Sequence, residues 1–119
     1  MKKKTLWDKV AKTKVKDKQT AIEAFTKIVK EVEANNYNFQ AGDVAEKNYT
    51  IVHETNRMNS FFVHVVPKEL YKVFKKLQKE EPHSFLGFSI LCGKMGEREV
   101  RVSCFGIPST ELVRAVIKK

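Results

Sequence analysis

No run of apolar residues in this chain approaches the ~20 needed for a helix to cross a bilayer. The basic start "MKKKTLWDKVAK" lacks the apolar stretch of a secretion signal, because Asp8, Lys9 and Lys12 interrupt it. No secretion signal and no membrane association are expected, and a cytoplasmic location is the default reading. Glycine is scarce, five in 119 residues, and none builds the Gly-rich strand-to-helix turn that cradles phosphates; the "KMG" at residues 94–96 stands alone. Cysteine is scarcer: Cys92 and Cys104 are the two present. With no Cys-x-x-Cys and no His-x-x-x-His, the sequence offers no zinc site. A disulfide would require the two thiols to face each other across a hairpin, in a compartment that disfavours it. No serine or cysteine stands at a recognisable nucleophile elbow. Neither a cofactor nor a metal is expected, and the reading is non-enzymatic.

What is abundant is lysine. The net charge is +9, unevenly spread. Residues 1–18 hold Lys2, Lys3, Lys4, Lys9, Lys12, Lys14, Lys16 and Lys18 against Asp8 and Asp17, a net +6, which leaves +3 for the rest of the chain. Such a segment gathers phosphates without reading sequence, or simply keeps the protein in solution. Within it Leu6, Trp7, Val10 and Ala11 share one-turn spacing, so a short helix docked through Trp7 is expected, with an extended arm as the alternative. Residues 1–18 are read as this arm or docking helix, and residues 19–119 as a single domain. A chain of this length buries roughly 65% of its unfolded surface unaided.

The element pattern predicts an α+β fold. Thr20 and Glu23 read as a capping box opening a helix whose stripe is Ile22, Phe25, Ile28, Val29 and Val32, closed by Asn35 and Asn36. Residues 37–47 read as a connection. "NYTIVHET" and "SFFVHVV" predict two strands around "NRMN", with the odd positions Tyr49, Ile51, His53, Phe61, Val63 and Val65 turned to the core. Pro67 opens a helix lined by Leu70, Tyr71, Phe74 and Leu77, studded with Lys68, Lys72, Lys75, Lys76 and Lys79, and stopped by Pro82. The plan then repeats. "SFLGFSILCG" and "VRVSCF" are strands around "KMGERE", with Leu86, Phe88, Ile90, Cys92, Val100, Val102 and Cys104 inward. Pro108 and Ser109 open a last helix with Leu112, Val113, Val116 and Ile117 inward. Two strand–strand–helix units predict a four-stranded antiparallel sheet with helices packed on one face.

If residues 5–10 were instead a strand, the order would be the ferredoxin-like β-α-β-β-α-β with a C-terminal extension. "RMNSFFVHV" would then occupy the third strand, where "FVHV" loosely resembles the end of the signature of RNA-recognition motifs. The glycine and flanking aromatic of that signature are missing, and no family is assigned. The resemblance implies aromatics that stack on bases.

With helices on one side, the other sheet face is expected to be open. It would carry Phe62, His64, Phe85, Leu91, Arg101 and Phe105, aromatics interleaved with a cation, which suit base stacking. Together with the lysine arm and Lys72, Lys75, Lys76 and Lys79, this predicts a small nucleic-acid-binding module directed mainly at phosphates, DNA or RNA. The alternative is a regulator or inhibitor that uses the same open face to bind an acidic or nucleic-acid-binding protein, or a second copy of itself. His53 reads as a buried core histidine, His64 as a surface one, and His83 as a loop residue. Glu54, Glu97, Glu99 and Glu111 are scattered; an enzyme would have to be built from His64, Glu54 and Arg101.

Overall fold

The computed structural model describes residues 15–34, 42–55, 60–80, 88–95 and 98–117. In chain order the elements are α1 (Lys18–Ala34), β1 (Gly42–Ala45), β2 (Tyr49–Thr55), β3 (Phe61–Pro67), a 3-10 turn (Lys68–Leu70), α2 (Tyr71–Glu80), β4 (Ser89–Met95), β5 (Arg98–Cys104) and α3 (Ser109–Ile117). The predicted helix and possible strand around Trp7, the Asn35–Asn36 cap, the Pro82 stop, and Phe85 and Leu86 lie outside the described residues.

The α+β class holds, with a different sheet. It has five strands in the order β1-β2-β3-β5-β4. The added strand, β1, comes from the segment read as a connection and pairs antiparallel with β2, Ala45 opposite Thr50. The sheet is mixed: β3 and β5 run parallel, with Val63 opposite Val102 and His64 opposite Ser103. The second hairpin therefore does not lie beside the first in simple succession. Its later strand, β5, inserts against β3, and β4 is left at the edge. The side chains agree with this order. Val100, Val102, Ser103 and Cys104 of β5 are buried, on both faces of the strand, whereas Leu91 of β4 is 49% exposed. A strand covered on both sides belongs inside a sheet.

The chief correction is that helices cover both faces. On one side α1 packs on β3, β4 and β5 and against α3. Phe25, Ile28, Val29 and Val32 meet Val63, Val65, Val100, Val102 and Cys104 there, with Ile107 and Leu112. This is the predicted core face. On the other side α2 lays Phe74 and Leu77 over Val52, Val66 and Phe105, with Leu70 beside them. Phe74 meets Phe105 edge-on, centroids 5.1 Å apart. The expected open face is thus a second core, and Phe62, His64 and Phe105 are buried in it. The physical reason lies in the β3–α2–β4–β5 path. Parallel strands need a crossover, and a crossover helix with an apolar side must settle on a sheet face.

Local chemistry sets the helix ends. α1 starts three residues earlier than predicted. Asp17, not Thr20, is its N-cap: the Thr20 N–H donates to Asp17 Oδ1 at 3.1 Å, and the Thr20 hydroxyl donates to Oδ2 at 2.7 Å. Those bonds, the hydroxyl's first, hold the Asp17 carboxyl below its ordinary range. Pro67, expected in the first turn of the helix, is instead the last residue of β3; a 3-10 turn follows it and α2 begins at Tyr71. Pro108 accepts from the N–H groups of Glu111 and Leu112 at the start of α3. Val113, predicted inward on that helix, is 38% exposed.

Both cysteines are free thiols, and Cys104 is fully buried. Burial pushes the Cys92 thiol up from 9.0 to about 11 and the Cys104 thiol higher still. The protonated thiols are therefore favoured in the fold, a contribution present below the ordinary thiol range and lost as pH rises through about 11 for Cys92. At about pH 8, alkylation by iodoacetamide is expected to be slow at Cys92 and undetectable at Cys104 until denaturant is added. Fast double labelling of the native protein would contradict this burial.

Candidate functional site

Two groups of side chains stand out, one inside the second core and one on its outer surface. The inner group joins three strands and a helix. His64 on β3 shares hydrogen bonds with Ser103 Oγ through Nδ1, at 2.7 Å, and with Glu54 Oε2 through Nε2, also at 2.7 Å. Gln78 of α2 donates to the second Glu54 oxygen at 2.6 Å. Strand alternation puts these groups together. Ser103 lies directly opposite His64, while Glu54 sits opposite Phe62, one diagonal step away on the same face. An ionised Glu54 accepts from Nε2–H, and the Ser103 hydroxyl, which can donate or accept, satisfies Nδ1. The imidazole is further held by Phe62, parallel at 6.2 Å, and by Phe74 at 5.2 Å.

The connectivity is that of an acyl-transfer triad, serine to histidine to carboxylate. The placement is not. Ser103 and His64 are each 1% exposed, and Ser103 sits on a strand flanked by β3 and β4. A nucleophile there meets no substrate. The network instead satisfies buried polar groups and ties α2 to the sheet through Gln78. The sequence pattern predicts a surface position for His64 and no role for Ser103. The signal available in sequence was the shared even parity of Glu54 and His64; Ser103, at an odd position of another hairpin, joins their face only through the register opposite His64. The pairing of β3 with β5, which brings Ser103 in, was not visible.

The outer group is cationic. In α2, Phe74 and Leu77 are buried and Lys72, Lys76 and Lys79 are exposed. These three lysines fall at i, i+4 and i+7, one stripe along the helix back. Lys68 is exposed on the 3-10 turn ahead of them, and half-buried Lys75 holds its Nζ 5.9 Å from the centroid of the Tyr71 ring. Like charges on one stripe repel and cost helix stability; a bound polyanion reverses that sign.

Of the arm, Lys2, Lys3, Lys4, Lys9, Lys12 and Lys14 lie outside the described residues. Lys16 is exposed, and its backbone N–H donates to the Glu69 carboxylate. Val15 just before it packs against both cores. The basic segment therefore joins the body at the turn that starts the lysine helix. Lys18 points elsewhere: its Nζ is 2.5 Å from Glu111 Oε2 on α3.

The expected aromatic platform is absent from this surface. Phe62, His64 and Phe105 lie beneath α2, and Phe85 falls outside the described residues. Arg101 is half-buried near Glu99, 3.8 Å away. Glu54, Glu99 and Glu111 do not meet; each has a different partner, respectively His64, Arg101 and Lys18. Among the described residues no group of three His, Cys, Asp or Glu is placed to hold a metal ion, and no helix is long and apolar enough to cross a membrane.

No protein-family model, curated protein or solved structure matches the chain. The functional reading rests on this geometry alone. One aromatic that the sequence assigned to the core packs against the second core and also reaches the cationic surface. Tyr71 is half-buried and lines a cavity of about 320 Å³ with Ala45, Thr50 and Lys68. A second cavity, about 290 Å³, lies on the opposite side of the sheet between the end of α1 and the bulged stretch of β4, lined in part by Glu33, Cys92 and Lys94.

Proposed function

We propose that the protein binds nucleic acid, chiefly through its phosphates, with the back of α2 and the basic N-terminal segment as one joint surface. The observation that carries the reading is the bond from the Lys16 N–H to Glu69. It anchors the end of a segment holding seven lysines, Lys2 to Lys16, beside the helix that presents Lys72, Lys76 and Lys79. Two positive regions, separate in the chain, are tied at Lys16 and Glu69, which favours their acting on one ligand. Their fields add at distances below the Debye length, about 8–10 Å in physiological salt. The protein-docking alternative relies on a sheet face that α2 occupies, and among the described residues the exposed large apolar ones, Val44, Leu91 and Val113, sit on three different elements.

The test is anisotropy of labelled single- and double-stranded DNA and RNA across a salt series. Affinity should fall linearly with salt on a log–log plot, and replacing Lys72, Lys76 and Lys79 together by alanine should lower the slope by about three. Removing residues 1–14 should weaken binding further. The truncation stops there because Val15 is packed in the cores and Asp17 caps α1. Absence of binding, or binding indifferent to salt, rejects the proposal.

A further inference from the structure

The cavity beside Tyr71 bears on which form of nucleic acid the surface takes. It lies on the α2 side of the sheet, where Thr50 is buried and pairs with Ala45 on one side and Val66 on the other. α2 is ten residues long, about 15 Å. It covers the middle of the sheet and leaves a hollow toward the β1 edge, between Ala45 and Thr50 on the strands and Lys68 and Tyr71 at the start of the helix. At about 320 Å³ the hollow is at the small end of ligand-binding cavities, ~300–1,000 Å³.

Its lining combines the groups that an unpaired nucleotide needs. Tyr71 offers an aromatic ring, already flanked by the Lys75 ammonium. The Thr50 hydroxyl both donates and accepts, which suits a base edge. Lys68 lies on the rim, one turn before the stripe of Lys72, Lys76 and Lys79 that would carry the adjoining phosphates. A paired base cannot use such a hollow, because its faces are stacked on its neighbours and it shows only an edge in a groove. A base in a single strand is free to turn out and lie against an aromatic ring.

We infer that the Ala45–Thr50–Lys68–Tyr71 cavity accepts one unpaired base, so that the protein prefers single-stranded nucleic acid to duplex. This rests on the phosphate-directed reading above and extends it from charge to base contact. It assigns no preference among the four bases.

The experiment compares three labelled probes of equal length: a single strand, the same strand with abasic sites in place of its bases, and the blunt duplex. The expected result is binding of the base-bearing strand about tenfold tighter than the abasic strand, the size of one stacking contact, and tighter than the duplex. Tyr71→Phe should keep that preference. Tyr71→Ala should lose it while retaining the salt-dependent affinity for the abasic strand. Because Tyr71 also packs against the second core, Ala45→Leu provides an independent arm. Ala45 is exposed on a strand edge, and leucine there fills the hollow without changing charge. Equal affinity for the base-bearing and abasic strands overturns the inference and leaves the phosphate-directed function standing. A preference that survives both Ala45→Leu and Tyr71→Ala overturns the assignment to this cavity. Failure to bind any of the three probes overturns the underlying function.

Discussion

Replacing Gly106 by alanine is expected to destabilise the protein by about 2–5 kcal/mol. Gly106 makes the turn from β5 into α3 with φ of 87°, in the left-handed region. An L-residue there costs about 1–2 kcal/mol from its own Cβ and carbonyl. Space is the second problem. A Cβ on Gly106 would stand 2.5 Å from Leu70 Cδ1 and 3.1 Å from Val15 Cγ2. Leu70 is 1% exposed and locked in the second core, so its methyl has little room to retreat. Overpacking of this kind typically adds about 1–3 kcal/mol. Against a total stability on the order of 5–15 kcal/mol, the loss is large. Urea unfolding measures it, as a lower midpoint with an unchanged slope. A loss no larger than the ~1–2 kcal/mol backbone cost would show that the contact with Leu70 and Val15 does not contribute.

The second large effect is expected at His64. His64→Ala should cost about 3–5 kcal/mol, combining a cavity with the loss of a buried polar partner. The imidazole packs against Phe62 and Phe74 and bonds both Ser103 and Glu54. Its removal affects these two unequally. The Glu54 side chain is 18% exposed and keeps Gln78, so water compensates part of its loss. Ser103 is 1% exposed and has no such route. His64→Leu combined with Ser103→Ala should therefore be less damaging than His64→Ala alone. The pair of changes removes donor and acceptor together and restores apolar volume. A double-mutant cycle over His64 and Ser103 gives the coupling directly. A coupling near zero would mean that the 2.7 Å contact contributes no stability. The effect should also be local. Hydrogen exchange in α2 should accelerate first, since Gln78 links that helix to Glu54.

Periodicity made the helices and most strands legible. The stripe of α1, the lysine-backed α2 between Pro67 and Glu80, and the alternation Val63–Val65 and Val100–Val102–Cys104 all lie where local pattern puts them. The core face under α1 and α3 was legible for the same reason, because apolar residues two apart must share a side. The second core was not. Its residues, Val52, Phe62, Val66 and Phe105, are as apolar as the first set, yet the hairpin-by-hairpin reading had no helix left to cover them. The short β1 was missed because four residues of "GDVA" carry almost no strand signal of their own. They gain it by pairing with β2.

The candidate surface divides along the same line. That lysines would crowd the segment before α1 and the back of α2 follows from composition and helical spacing alone, since charged side chains on a packed helix face water. That the chain at Lys16 is tied to Glu69 ahead of α2, that Phe62 and His64 are sealed under α2 instead of offered to a ligand, and that Tyr71 lines a hollow at the β1 edge were decided by tertiary structure. The insertion of β5 beside β3 is a contact between segments far apart in the chain, and nothing in the local pattern of either strand encodes its partner. Once that pairing is made, the crossover carries α2 onto the second face, and every surface assignment follows from it.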